Sequence, residues 1–100
     1  MSEIDALRRQ LEGCWYIPTG ARDVETMVVE IEMDINPDRT LRRAVILDQN
    51  RYNRDSFFRA VADSVVRAVR HPACSPFDLP PAKYDDWKRT TINFNAKDMF

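Results

Sequence analysis

Residues 27–36, MVVEIEMDIN, alternate between apolar and charged positions. Met27, Val29, Ile31, Met33 and Ile35 fall on one side, and Glu30, Glu32 and Asp34 on the other. Successive side chains of a strand point to opposite faces, so the pattern predicts a strand with one apolar face and one wet face. A helix would scatter the five apolar residues around its axis. This is the longest strand signal in the chain, and it predicts the centre of a small sheet covered on one side only.

The periodicity changes elsewhere. Over residues 2–12, Ile4, Leu7 and Leu11 recur at i, i+3 and i+7 with Arg8, Arg9 and Gln10 opposite, which predicts a helix. Ser2 is placed to cap it, Glu3 and Asp5 suit the positive end of its dipole, and Gly13 can stop it in the left-handed conformation. Cys14, Trp15, Tyr16 and Ile17 follow as an apolar cluster expected to pin the helix end to the core, and residues 18–23 read as a loop. After the central strand, Asn36-Pro37-Asp38-Arg39-Thr40 carries turn chemistry. Residues 41–48 predict a returning strand. Its adjacent Arg42 and Arg43 break the alternation, which a bulge near Arg43 or Ala44 would explain.

Residues 49–54 read as a polar loop. Asp55 caps a second helix over residues 56–70, whose broad apolar face holds Phe57, Phe58, Val61, Ala62, Val65, Val66, Ala68 and Val69. Pro72 ends it. A Pro-rich irregular segment carries Cys74, Phe77 and Leu79, and residues 83–88 predict one helical turn burying Tyr84 and Trp87. Residues 90–95 predict a third strand, with Ile92 and Phe94 inward and Thr91, Asn93 and Asn95 outward. Residues 96–100 read as a tail. The expected fold is α+β with topology α-β-β-α-β. A right-handed helical crossover places the third strand beside the first, giving a three-stranded antiparallel sheet of order 2-1-3 with helices packed on one face. The third strand is then an edge.

Composition narrows the function. A chain of 100 residues, 44% hydrophobic and 31% charged, fits one domain over residues 1–100 with one thin core. A net charge of -1, from 15 basic and 16 acidic residues, argues against an electrostatically driven nucleic-acid binder. No apolar run reaches the roughly 18 residues that a membrane helix needs. No apolar stretch follows the N-terminal Met-Ser-Glu, so no secretory signal is expected, which does not exclude an extracytoplasmic home. Cys14 and Cys74 are too few and too far apart for a metal site. They fit two buried thiols or one disulfide, and composition favours neither.

No constellation predicts catalysis, a metal or a cofactor. His71, the lone histidine, precedes Pro72 and reads as a capping residue. Glu30, Glu32 and Asp34 lie on an open sheet face and read as solvated neighbours of Arg42 and Arg43, and Asp85-Asp86 as surface. Trp15, Tyr84 and Trp87 read as core rather than as an exposed partner patch.

Several short motifs in order resemble one family. They are Gly13-Cys14-Trp15, the strand running into Asn36-Pro37-Asp38 with Thr40-Leu41, the helix beginning at Phe57, Cys74-Ser75-Pro76-Phe77 with Leu79-Pro80, Tyr84 with Trp87, and Ile92 with Phe94. Together, over nearly the whole chain, they resemble the C-terminal periplasmic domain of TolA, in its alphaproteobacterial form, and more distantly that of TonB. The family turn expects Gly where this chain has Arg39. The resemblance implies a non-catalytic, cofactor-free domain in the periplasm, borne by a protein anchored in the inner membrane. That protein would couple a proton-driven motor to partners near the outer membrane and so support envelope integrity. The implied partners are Pal- or TolB-like proteins, or colicin or phage proteins. A TonB-type domain that captures outer-membrane transporters is the alternative, and a small cytoplasmic regulatory domain a more distant one. An oxidising compartment implies a Cys14–Cys74 disulfide, worth about 4 kcal/mol for a loop of roughly 60 residues in the chain-entropy model. The resemblance also makes the edge strand, Thr90, Thr91, Ile92, Asn93, Phe94 and Asn95, the expected partner site through strand addition. Its bland alternative is an edge kept polar against aggregation.

Overall fold

A computed structural model describes residues 3–99. Helix α1 (Glu3–Glu12) leads through a loop and a 3-10 turn at Val24–Thr26 into strand β1 (Val28–Ile35). Strand β2 (Leu41–Ile46) returns, followed by α2 (Gln49–Arg54) and α3 (Ser56–Arg70). A 3-10 turn at Pro72–Cys74, an extended segment and another 3-10 turn at Pro81–Lys83 lead to α4 (Tyr84–Trp87) and strand β3 (Arg89–Asn95). The sheet has the order β2-β1-β3, antiparallel throughout, as the alternation and the crossover rule predict.

The core lies where the apolar face of β1 meets α1 and α3. Val29, Ile31, Met33 and Ile35 of β1 are buried with Ile92 and Phe94 of β3. Leu7 and Leu11 of α1, and Phe58, Val61, Ala62, Val65, Ala68 and Val69 of α3, close over them. Asp55 caps α3 by accepting the N–H groups of Phe57 and Phe58 at 3.0 and 3.1 Å. Trp15 sits edge-on to Phe94 with ring centroids 5.4 Å apart, and its indole N–H donates to the buried Ser64 hydroxyl at 2.8 Å. Trp87 is fully buried and donates to the Pro80 carbonyl, while Tyr84 is half-buried and donates to the Ile35 carbonyl.

Cys14 and Cys74 are bonded, with Cα atoms 6.4 Å apart. The Gln10 side chain reinforces this junction. Its amide nitrogen reaches the Cys74 and Pro76 carbonyls, and its oxygen accepts the Asp78 N–H at 2.7 Å. The C-terminal end of α1 is therefore fixed, covalently and by hydrogen bonds, to the segment after α3.

Several expectations are corrected. Residues 49–54 form helix α2 rather than a loop. It buries none of its residues, so it carries no apolar stripe to read, and it is held by the Asp48 carboxylate accepting from the Arg51 N–H at 3.0 Å. The bulge expected near Arg43 or Ala44 is present and falls at Arg42, beside Arg43, since Asp34 faces Arg43 while Ile35 faces Leu41. Gly13 does not adopt a positive φ. The helix ends instead through tightened turns, Cys14 N–H to the Leu11 carbonyl and Trp15 N–H to that of Glu12, and a Cβ at Gly13 would sit 3.3 Å from the Gln10 carbonyl oxygen. Tyr16 is exposed rather than core. Phe57 is exposed too, although Ser64, two turns later on the same flank of α3, is buried. At the first turn that flank opens onto a cleft with Arg22, Asp23 and Met27. Residues 96–99 form a 3-10 turn with Ala96 buried, not a tail. The proposed Ser2 cap and the end of that tail, Phe100, lie outside the described residues.

Arg39, where the resemblance expects Gly, has a φ of 68°. The turn needs a left-handed residue there, at a cost of about 1 kcal/mol for any residue with a Cβ. The conformation is held on three sides. The Arg39 N–H donates to the Asn36 carbonyl, the Asn36 N–H donates to the Thr40 carbonyl, and the Arg39 carbonyl accepts the Phe77 N–H at 2.8 Å.

Candidate partner-binding edge

The two margins of the sheet differ. The register fixes which backbone groups of β3 are used. Ala96 N–H donates to the Met27 carbonyl and Ile35 N–H to the Lys88 carbonyl, bracketing the ladder at both ends. With Glu30 facing Asn93 and Ile31 facing Ile92, the residues Thr90, Ile92 and Phe94 direct their N–H and C=O groups at β1. Arg89, Thr91, Asn93 and Asn95 direct theirs outward. Among the described residues nothing hydrogen-bonds the backbone of Thr91 or Asn93 from that side. The six residues expected at this edge therefore divide: Thr90, Ile92 and Phe94 are buried and bind the strand to the sheet, and Thr91, Asn93 and Asn95 hold the open groups. Arg89 belongs with the second set and escaped the sequence reading.

The other margin is blunted. Leu47 N–H donates to the Glu30 carbonyl, so Ala44 and Ile46 direct their groups away from β1. The Ile46 carbonyl is already taken by the Gln49 side chain at 2.6 Å, and the Arg42 bulge interrupts the row. Among the described residues, the regular row of backbone groups without a partner lies along β3.

On the uncovered face, Asp34 binds both neighbouring strands. It accepts from Arg43 of β2 at 3.1 Å and from Arg89 of β3 at 2.8 Å. These bonds, that from Arg89 first, hold the Asp34 carboxyl below its ordinary range and raise Arg89. This row is an exposed cross-strand brace. His71 caps as expected, though it caps the turn after α3: its Nδ1 accepts the Ala73 N–H at 3.0 Å. Tyr52 donates to Asp63 at 2.6 Å, and that bond pushes the phenol upward, which ties α2 to α3. Among the described residues no group of three His, Cys, Asp or Glu side chains could hold a metal ion.

No protein-family model and no curated protein matches the chain. Among solved structures, a solution structure of TolA domain III, bound to a peptide derived from the N-terminus of TolB, superposes with a TM-score of 0.53. The two sequences are 28% identical, and the match covers 90% of this chain and 68% of the other. In its fold this chain is similar to TolA domain III. The resemblance in motif order and the likeness in shape point to the same domain, and TolA domain III was solved with a peptide bound. No helix among the described residues is long and apolar enough to cross a membrane.

Proposed function

We propose that residues 1–100 form the protein-binding domain of a TolA-type envelope protein, and that it takes up an N-terminal segment of a TolB-like partner as a fourth strand along β3. The observation that carries this reading is the vacant hydrogen-bonding row at Arg89, Thr91, Asn93 and Asn95, in a fold whose solved counterpart carries a TolB peptide. Main-chain pairing supplies affinity, and the partner's alternate side chains supply selectivity. The domain performs no chemistry and needs no cofactor. It works in the periplasm, where the Cys14–Cys74 bond persists, and passes the energy of an inner-membrane motor to the partner it holds.

Asn93→Pro tests the reading. The Asn93 N–H faces away from β1, so proline there removes a donor that the ladder does not use. Titration calorimetry with a peptide from the N-terminus of TolB is expected to show at least a tenfold weaker affinity, with the Cys14–Cys74 bond intact and near-native circular dichroism. Unchanged affinity in a folded variant overturns the site.

A further inference from the structure

The margin that cannot take a strand carries a different feature. Between β2, the C-terminal end of α3 and the segment after it lies an open cleft of about 340 Å³, lined by Thr40, Leu41, Arg42, Arg43, Val69, Arg70, Ser75 and Phe77. Three of these side chains are arginines and none is acidic, in a chain whose net charge is -1. Arg43 is engaged by Asp34 across the sheet. Arg42 and Arg70 are exposed and make no ion pair among the described residues. The bulge is what offers Arg42 here: as the extra residue opposite Asp34 and Ile35, it leaves the row that binds β1. Leu41, Val69 and Phe77 give the cleft an apolar floor, and the Thr40 and Ser75 hydroxyls add short polar contacts.

We infer that this cleft is a second docking surface, for an extended peptide segment that alternates carboxylates with apolar side chains. Charge complementarity selects the occupant. Two unengaged guanidiniums present forked donors suited to carboxylates, in a pocket with no anion of its own. The apolar floor takes the intervening side chain. A flat anionic membrane meets the charge requirement but does not fill a concave, apolar-floored cleft. The surface lies on the margin opposite β3, so both edges can be occupied at once, and the inference stands whether or not the β3 reading does.

The test is a titration of isotope-labelled protein with an acetylated hexapeptide of alternating aspartate and leucine. The controls are the same peptide with asparagine for aspartate, and phosphatidylglycerol vesicles. The expected result is saturable shifts at the amides of Leu41, Val69, Ser75 and Phe77. Binding should weaken at least tenfold for the asparagine peptide and for Arg42→Ala/Arg70→Ala. It should stay the same for Arg67→Ala, an exposed arginine of α3 that does not line the cleft. All three arginines are exposed, so each variant should melt near the parent. Equal affinity for the two peptides, no loss in the double variant, or binding only to vesicles overturns the inference.

Discussion

Ser64 sits inside α3 with 2% of its surface exposed, and its hydroxyl has two partners. It donates to the Val61 carbonyl one turn back and accepts the Trp15 indole N–H at 2.8 Å. Trp15 is itself 4% exposed, so no water replaces the serine once it is gone. Ser64→Ala therefore leaves a buried donor unpaired, which costs about 1–3 kcal/mol. In a domain of this size each kcal/mol moves the melting temperature by about 4–8 °C, so a fall of roughly 4–24 °C is expected. Denaturant unfolding followed by tryptophan fluorescence measures it. A double-mutant cycle isolates the bond: in a Trp15→Phe background no donor remains to be orphaned, and Ser64→Ala should cost markedly less. Equal costs in both backgrounds would show that the serine acts by shape or helix propensity, and the reasoning fails.

Other expectations follow from the same structure. Reducing the Cys14–Cys74 bond, or replacing both residues by alanine, should lower stability by about 4 kcal/mol, the closure term for a separation of 60 residues; an unfolding midpoint unaffected by reductant refutes this. Arg39→Gly should be more stable than Arg39→Ala by roughly 1 kcal/mol, because only glycine takes the left-handed turn without strain; equal or lower stability contradicts the turn. The Asp34 carboxyl is depressed in the folded state, so its contribution is fully present above the ordinary value of 3.8 and is lost as pH falls through the folded value. Asp34→Asn should accordingly flatten the acid limb of a stability profile, and identical acid limbs in both proteins refute the brace.

What could be read from the sequence follows from what leaves a periodic trace. The strict alternation of residues 27–36 gave β1 its face, and with the helical crossover it led to the observed strand order. Helix α2 left no trace, because it buries nothing and is held by the Asp48 cap and the Tyr52–Asp63 bond. The Arg42 bulge was detectable as broken alternation, but its position depends on the partner strand, which a single sequence does not contain. Phe57 and Tyr16 were misplaced for the same reason: burial at the end of an element is decided by what lies across from it. At the candidate edge, the alternation of Thr91, Asn93 and Asn95 was visible. That these residues, and not Thr90, Ile92 and Phe94, hold the vacant backbone groups follows only from the register. The all-arginine cleft draws on residues far apart in the chain and left no local motif.

The Cys14–Cys74 bond also decides how the chain carries tension. A pull on the N-terminal helix, resisted at β3, runs through the bond and bypasses the intervening chain. Strands β1 and β2 and helix α3 stay outside that mechanical path, and about 200 Å of contour length remains locked away however hard the ends are drawn.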